Sequence, residues 1–285
     1  MSGLPSGYTQ LEYIESSGTQ YIDTKFKPNQ NTRVVGVFKT TDTGIPYFWW
    51  GARTSSETVN FCILRVGSGV RSDYGESKVK VLSSPSTEKV LIDQSKNICT
   101  YDTTSIKNEI STFVSQYSLF LFAANTGGQA GYFGHHKMYS CKIYDNETLV
   151  RNLVPCKNAS GVIGLYDTVG RQFYANAGTG TFTAGPEIIP DPPAAPTGLH
   201  TVLAVVLQWA ASANADRYDV YRDGAKLGST ETTQYVDTTP EANQTYVYTV
   251  KAVNGGGESA GTSITVYTKS GYFEYKPLIE SANFP

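Results

Sequence analysis

The sequence predicts an all-β protein made of two β-sandwich domains. Charged residues make up only 17% of the 285 residues, while the chain holds 20 Tyr and 12 Phe, and this composition favours half-buried pleated surfaces over helices with charged faces. Short apolar or alternating runs separated by turn residues recur along the chain, with no competing helical periodicity longer than two turns. Five prolines between Pro186 and Pro196 then interrupt any regular structure.

The proline-rich segment divides the chain into two parts that can each bury a core. Because prolines lack a backbone donor and favour an extended chain, we expect a stiff spacer between two independently folded bodies. The predicted boundaries are residues 1–185 for the first domain, 186–196 for the linker, 197–269 for the second domain and 270–285 for a C-terminal tail.

The first domain contains about ten short runs with strand character. Clear examples are Arg33–Lys39, Asn60–Val66 and Tyr139–Tyr144. So many strands joined by polar hairpins imply two packed antiparallel sheets, since a single open sheet of that size would leave long unpaired edges.

The second domain has the clearest strand pattern. Residues 218–222 alternate, Asp223-Gly224 forms a hairpin turn, and residues 246–253 alternate with period two. The spacing fits about seven short strands, which is typical of a sandwich.

Three features of this second part match a known module: Trp209, the pattern Tyr-x-Val-Tyr-Arg-Asp-Gly from Tyr218, and the pattern Tyr-x-x-x-Val-x-Ala-Val from Tyr246. On these features residues 194–268 resemble a fibronectin type III domain. The resemblance implies structural roles for Trp209 and for Tyr246, the latter as a tyrosine corner with a buried ring and a hydroxyl bonded to nearby backbone. It also implies a spacer or adhesive module without chemistry.

Three stretches of the first part, Leu4–Thr24, Tyr139–Asp145 and Gly164–Phe182, carry a second resemblance. They are similar to the concanavalin-like, laminin-G-like jelly-roll modules common in phage and prophage virion proteins, over residues 4–186. Because this fold hosts many functions, the resemblance implies only the architecture. The activity has to be argued from the residues of the site.

No catalytic constellation is recognisable in the sequence. The related fold of bacterial β-glucanases carries Glu-x-Asp-x-x-Glu on one strand, and no glutamate here is followed two residues later by aspartate. A serine or cysteine nucleophile needs a histidine base, and His135, His136 and His200 lie in no such motif. We therefore predict that the protein is not an enzyme.

The sequence also predicts no metal or other cofactor. His135 and His136 are consecutive, so in a strand they point to opposite faces and could not both bind one ion. A calcium site built from Asp23, Asp167 and Asn176 is conceivable for this fold, although no spacing demands it. The cysteines are too widely spaced for a zinc site and are predicted to be buried apolar residues: Cys62, Cys99, Cys141 and Cys156.

The densest aromatic cluster is Tyr47-Phe48-Trp49-Trp50, followed by Arg53. One interpretation is that all four rings are covered. The alternative is that Tyr47, Trp49 or Trp50, with Arg53, presents a flat ring to a sugar or a partner surface. The glycine-rich segments 67–69 and 127–131 are candidate variable loop tips.

The C-terminal tail is unusually aromatic for a solvated segment. We expect it to dock on another subunit by strand addition or by aromatic anchors, the alternative being that it folds back on the sandwich. The predicted anchors are Tyr272, Phe273, Tyr275, Leu278 and Phe284.

Charge and hydropathy exclude two classes of partner. The net charge is −2 and no basic run could neutralise a line of phosphates, so nucleic-acid binding is not expected. The longest apolar run, 202–207, has strand length, so no membrane span is expected. The start of the chain has neither the basic head nor the apolar core of a signal peptide.

The sequence therefore predicts a non-enzymatic phage virion accessory protein, a tail or capsid appendage assembled in the host cytoplasm. Its expected partners are other virion proteins and host cell-surface glycans, and a homo-oligomer is compatible with this role. The first alternative is a carbohydrate-binding or adhesion module of a bacterial or prophage surface protein, and the second is a glycoside hydrolase with an unfamiliar site.

Overall fold

The computed structural model describes residues 4–42, 47–67, 69–82, 86–202 and 206–269. The chain divides into two compact units, a first that ends at Ile188 and a second that begins at Ile189. Within the described chain there is no helix long and apolar enough to cross a membrane. The tail anchors predicted between Tyr272 and Phe284 lie outside the described residues, as does Ser68 of the 67–69 loop.

The regular elements of the described residues are all β-strands. They are β1 Tyr8–Gln10, β2 Ile14–Glu15, β3 Ile22–Asp23, β4 Thr32–Thr40, β5 Tyr47–Arg53, β6 Asn60–Val66, β7 Gly69–Tyr74, β8 Ser77–Leu82, β9 Lys89–Ser95, β10 Ile98–Tyr101, β11 Thr104–Lys107, β12 Phe120–Leu121, β13 Ala124–Thr126, β14 Gln129–Gly131, β15 His136–Asp145, β16 Thr148–Asn158, β17 Ile163–Asp167, β18 Gln172–Ala175, β19 Thr183–Ala184, β20 Thr197–Val202, β21 Val206–Ala210, β22 Arg217–Arg222, β23 Ala225–Thr230, β24 Gln234–Val236, β25 Thr245–Asn254, β26 Gly257–Glu258 and β27 Thr262–Tyr267.

The first unit is a sandwich of two sheets. The larger has the order β11-β10-β9-β4-β15-β16-β17-β18, with β1 on β16 and with β2 between β15 and β19. The smaller has the order β14-β13-β5-β6-β7-β8, with β12 pairing both β3 and β5. The described pairings are antiparallel except that of β13 with β5. The all-β prediction with two packed sheets is confirmed.

Alternation along the strands builds the core between these sheets. In β4, Val34 and Phe38 are buried while Arg33 and Lys39 are partly exposed, as period-two geometry requires. In β5 a register shift between Phe48 and Trp50 breaks the alternation. As a result both Trp49 and Trp50 belong to the central core cluster.

The two ends of the first unit lie side by side in the larger sheet. Ile14 of β2 pairs with Ala184 of β19, and Leu11 forms an isolated bridge with Glu187. The amide of Ile188 donates to the carbonyl of Gln10 at 2.9 Å. The first residues of the predicted linker are therefore hydrogen-bonded to the first unit.

The second unit has the strand order of a fibronectin type III sandwich. One sheet is β20-β21-β24 and the other is β23-β22-β25, with β26 and β27 both on β25. Trp209 is buried and meets the Tyr218 ring edge-on at 5.3 Å. The amide of Glu241 donates to the Tyr246 hydroxyl at 3.0 Å, the bond that defines a tyrosine corner, although the Tyr246 ring is only partly buried.

Candidate functional site

The aromatic cluster of β5 lies inside the protein. Tyr47, Trp49 and Trp50 have no exposed surface, and the indole Nε1 of Trp50 donates to Gln94 Oε1 at 2.8 Å. None of these rings can present a flat face to a ligand. The exposed-platform interpretation is therefore corrected: the rings are covered because the register shift turns Trp49 and Trp50 to the same side.

Arg53, the fourth predicted residue, lies on the outer face of the smaller sheet, where the alternation of β5 resumes. Its Cζ lies 5.0 Å from the Phe48 ring centroid and 5.2 Å from that of Tyr132. Its Nε donates to Thr126 Oγ1 at 2.8 Å, and its Nη1 donates to Glu57 Oε1 at 2.8 Å. The guanidinium is thus held between two rings and two hydrogen-bond acceptors.

Tyr132 is the exposed ring of this arrangement. It is 55% exposed, and its φ of 53° places a bulky residue in the left-handed region, where such residues are true outliers. Its carbonyl accepts a hydrogen bond from the Phe48 amide at 3.1 Å. Backbone strain of this kind often accompanies function.

We name Tyr132, Phe48, Arg53, Glu57 and Lys78 the Tyr132 platform. Glu57 joins its two cations, because Lys78 Nζ donates to Glu57 Oε2 at 2.5 Å. The hydrogen bond from Lys78 lowers the pKa of Glu57, so this carboxylate stays ionised as an acceptor. The platform combines one exposed ring with fixed charged donors and acceptors. This combination can bind a polar, ring-shaped ligand.

The surface beside the platform carries a further ion pair. Arg71 Nε and Nη2 donate to the two carboxylate oxygens of Asp73 at 2.7 and 2.9 Å. Burial raises the pKa of Asp73, against the lowering effect of Arg71. The bidentate geometry occupies both oxygens, so this pair supports the sheet surface.

Sequence reasoning missed Tyr132. The available signal was the glycine-rich segment 127–131 directly before it, in which the Gly127 amide donates to the Arg53 carbonyl at 3.0 Å. The partner strand is remote in sequence, so the pairing with Arg53 could not be read from the chain.

A cleft of about 620 Å³ opens next to the loop that carries Glu57. Two of its residues, Glu76 and Glu109, bear carboxylates, and both residues are exposed. The lining is Thr58, Val59, Glu76, Ser77, Glu109, Ile110, Ser111, Thr112 and Phe113.

The three residues considered for calcium each have partners of their own. Asp23 accepts from Lys25 Nζ at 2.6 Å, Asp167 accepts from the Asn152 amide at 2.9 Å, and Asn176 Oδ1 accepts from the Tyr21 amide at 3.1 Å. Over the described ranges, no three His, Cys, Asp or Glu side chains are grouped so that they could hold a metal ion.

The two consecutive histidines at the start of β15 differ in environment: His136 is its first residue and His135 precedes it. His136 is fully buried and stacks on Phe122 at 4.8 Å, whereas the neighbouring His135 is partly exposed. Burial lowers the pKa of His136 to about 3, with a smaller contribution from His135. Among the described atoms neither ring nitrogen of His136 has a hydrogen-bond partner.

The chain shares sequence with several curated proteins. It is 41% identical over 102 residues to a poly(3-hydroxybutyrate) depolymerase of Ralstonia pickettii, covering 34% of this chain and 19% of that protein. It is 38% identical over 107 residues to chitinase Chi52 of Paenibacillus xylanexedens, 34% of this chain and 20% of that protein. It is 38% identical over 87 residues to exoglucanase B of Cellulomonas fimi, 27% and 8% respectively. The chain thus spans a fifth or less of these relatives.

No family model matches the chain. Among solved structures, the mouse laminin alpha1 domains LG4-5 align over 95% of this chain and 70% of theirs, with 11% identity and a TM-score of 0.35. The fibronectin(III)-like modules of Clostridium thermocellum CbhA align over 50% and 72%, with 12% identity and a TM-score of 0.24. The strand order itself establishes the fold: a jelly-roll sandwich followed by a fibronectin type III sandwich.

Proposed function

We propose that this protein is a non-catalytic adhesion module that binds insoluble polysaccharide through the Tyr132 platform. One observation carries the proposal: Tyr132 is exposed, strained in its backbone and packed over the buried Arg53. An exposed ring, a backbone outlier and a buried cation packed beneath the ring coincide at this one place, and this coincidence motivates the assignment of a ligand to it.

The chemistry of the platform suits a sugar. The carbon–hydrogen face of a pyranose ring is apolar and stacks on an aromatic ring, which contributes contact area at little cost in side-chain entropy. The ionised Glu57 accepts hydrogen bonds from sugar hydroxyls, and Lys78 donates them. Arg53 already holds Tyr132 and Glu57 in place, so binding a sugar requires little further ordering of these side chains.

The relatives support this proposal through what they share. Their names describe a chitinase, an exoglucanase and a depolymerase, which differ in reaction but all act on polymers. A stretch of about a hundred residues that recurs beside such different activities is expected of an accessory part without chemistry of its own. It has the character of a fibronectin type III module, so it supports an accessory role for the second unit and does not bear on the Tyr132 platform. For this chain we infer attachment to a polymer surface.

The virion setting, its protein partners and its assembly in a host cytoplasm stay predictions. A surface that binds glycans would serve a phage appendage and a bacterial surface protein equally well. Detection of the chain in purified phage particles would support the first setting, and its detection only in the culture medium or on cells would support the second.

The test is co-sedimentation with chitin, amorphous cellulose and starch granules. We expect the protein to sediment with at least one of them. Tyr132→Ala should weaken that binding by about ten-fold or more, since an aromatic ring that becomes covered by the ligand typically supplies much of the binding energy. The matched control is Tyr267→Ala, which removes a tyrosine of the second unit that is 54% exposed. Failure to bind any of the three polymers, or equal binding by the two variants, would refute the proposal.

A further inference from the structure

The cleft and the Tyr132 platform share one loop. Residues 54–59 connect β5 to β6, with Glu57 in the platform and Thr58 and Val59 in the cleft wall. On the neighbouring β8, Ser77 lines the cleft while Lys78 bonds to Glu57. The two sites therefore share two segments of the chain, the loop 54–59 and the start of β8.

This shared loop is braced by hydrogen bonds of its own. Thr54 Oγ1 accepts from the amides of Thr58 and Val59 at 3.1 and 3.2 Å. The buried Asn60 Nδ2 donates to the carbonyls of Glu57 and Gly75, both at 2.7 Å. The loop is thus tied to the turn between β7 and β8, and a ligand lying across it would meet a preorganised surface.

The opposite wall of the cleft is fixed by close packing. Gly75 has a φ of 58°, and a Cβ added there would lie 2.2 Å from Ser111 Oγ. The segment that carries Ser111 therefore lies directly against the turn, and glycine is required at this point.

The lining offers what a sugar unit needs. Val59, Ile110 and Phe113 form an apolar side, and Ile110 is 83% exposed. Hydroxyl and carboxylate groups surround this side, so a ring with one apolar face and several hydroxyls matches the mixture. Four hydroxyls and two carboxylates take part: Thr58, Ser77, Ser111, Thr112, Glu76 and Glu109.

We infer that the cleft is a second subsite for the same glycan chain that the Tyr132 platform binds, so that the protein recognises an internal stretch of several sugars in a linear polysaccharide. This inference rests on the proposed function and adds a dependence on chain length. A ligand that spans two linked subsites binds more tightly than a ligand that fills either subsite alone.

The test is calorimetric titration of the whole protein with chito-, cello- and malto-oligosaccharides of two and six sugars. For the series that binds, we expect the affinity for the six-sugar compound to be at least about ten-fold higher than the affinity for the two-sugar compound. Ile110→Ala should remove most of this difference while leaving two-sugar binding unchanged, because the short ligand occupies the platform. The matched control is Ile98→Ala, an isoleucine of the larger sheet that is 45% exposed.

The outcomes separate the two proposals. Equal affinity for both lengths, abolished by Tyr132→Ala, would overturn the second subsite and retain the platform. An unchanged length dependence in Ile110→Ala would do the same. Binding to an insoluble polymer without binding of its six-sugar fragment would also overturn the second subsite. No binding to any polymer or fragment would overturn both.

Discussion

The hydroxyl of Tyr248 donates to Oδ2 of Asp237 at 2.8 Å, inside the second unit. Arg222 Nη1 donates to the same oxygen at 2.7 Å, and Thr239 donates to the other oxygen through its amide at 3.0 Å. Burial alone would raise the pKa of Asp237, but the hydrogen bonds from Thr239 and Tyr248 and the charge of Arg222 lower it. The carboxylate follows β24 in one sheet and binds side chains of β22 and β25 in the other, so it joins the two sheets.

Tyr248→Phe is therefore expected to destabilise the second unit by about 1–3 kcal/mol, because a buried carboxylate loses one of its donors. Urea unfolding followed by circular dichroism measures the change. The control is Tyr221→Phe, whose hydroxyl forms an exposed bond to Glu258 at 3.3 Å and should cost less than about 0.5 kcal/mol. Equal losses in the two variants would show that the buried bond from Tyr248 to Asp237 contributes no more than the exposed bond of Tyr221.

His136 predicts an acid-sensitive first unit. The folded protein takes up this proton only near a pKa of about 3, whereas an unfolded histidine takes it up near 6.5. Between these two pKa values the unfolded state therefore binds more protons than the folded state. The stability that neutral His136 contributes is fully present above about pH 6.5 and is lost progressively as the pH falls below that value. The loss is about 1.4 kcal/mol per pH unit for this group.

The measurement is scanning calorimetry of wild type and His136→Phe from pH 7 to pH 4. The aromatic surroundings, with Phe122 stacked at 4.8 Å and Phe38 edge-on at 5.2 Å, should accommodate the phenyl ring. Because carboxylates titrate in both proteins, the difference between the two pH profiles isolates His136. Parallel profiles would contradict the prediction.

The two core tryptophans form a matched pair for a stability test. Trp50 Nε1 bonds to the buried Gln94, which also donates to the Asp73 carbonyl at 3.1 Å. Trp49 Nε1 has no hydrogen-bond partner among the described atoms. Trp50→Phe should therefore cost about 1–3 kcal/mol more than Trp49→Phe, since it orphans a buried amide oxygen.

Both tryptophan variants should keep polysaccharide binding, measured by co-sedimentation at a temperature where each is folded. Loss of binding in a folded Trp49→Phe or Trp50→Phe protein would revive the idea that these rings contact a ligand.

Arg53→Lys tests the support beneath Tyr132. A lysine keeps the charge but cannot bond Thr126 and Glu57 through a planar fork while stacking between two rings. We expect polysaccharide affinity to fall by about ten-fold with the fold retained, because Tyr132 loses its backing. The control is Arg33→Lys, whose ion pair with Asp93 lies on the other sheet. Unchanged binding in Arg53→Lys would remove Arg53 from the platform.

The cleft carboxylates give the glycoside hydrolase alternative its sharpest test. Glu76 and Glu109 line one cleft but are exposed, and general acid catalysis usually relies on a carboxyl group kept protonated by burial. We expect no release of reducing ends from chitin, cellulose or starch after long incubation. Release that disappears in Glu76→Gln or Glu109→Gln would establish an enzyme.

The fold was largely predictable because its signals are local. Period-two runs and turn residues indicated the sandwich class, and the motifs near each end of the first unit are partners in space. The Ala177 amide donates to the Tyr21 carbonyl at 2.9 Å, and Thr19 Oγ1 donates to the Thr179 carbonyl at 3.0 Å. This explains why the opening and closing stretches carry the resemblance together.

The site was less predictable, because it depends on one irregularity and on remote pairing. The register shift at Phe48–Trp50 turns both indoles inward, and alternation alone would place one of them outside. Arg53 was identified from its neighbours in sequence, but its ring partner Tyr132 is remote in sequence and reaches it only through the pairing of β13 with β5. The buried environment of His136 likewise required the packing of three distant segments, which supply Phe38, the β5 rings and Phe122.

The pairing of Ile14 with Ala184 has a consequence for inserting the jelly roll into other proteins. A domain whose two ends are neighbours can be inserted into a surface loop of an unrelated protein without distorting that loop. We therefore expect residues 8–188 to fold when they are inserted into a surface loop of a carrier protein.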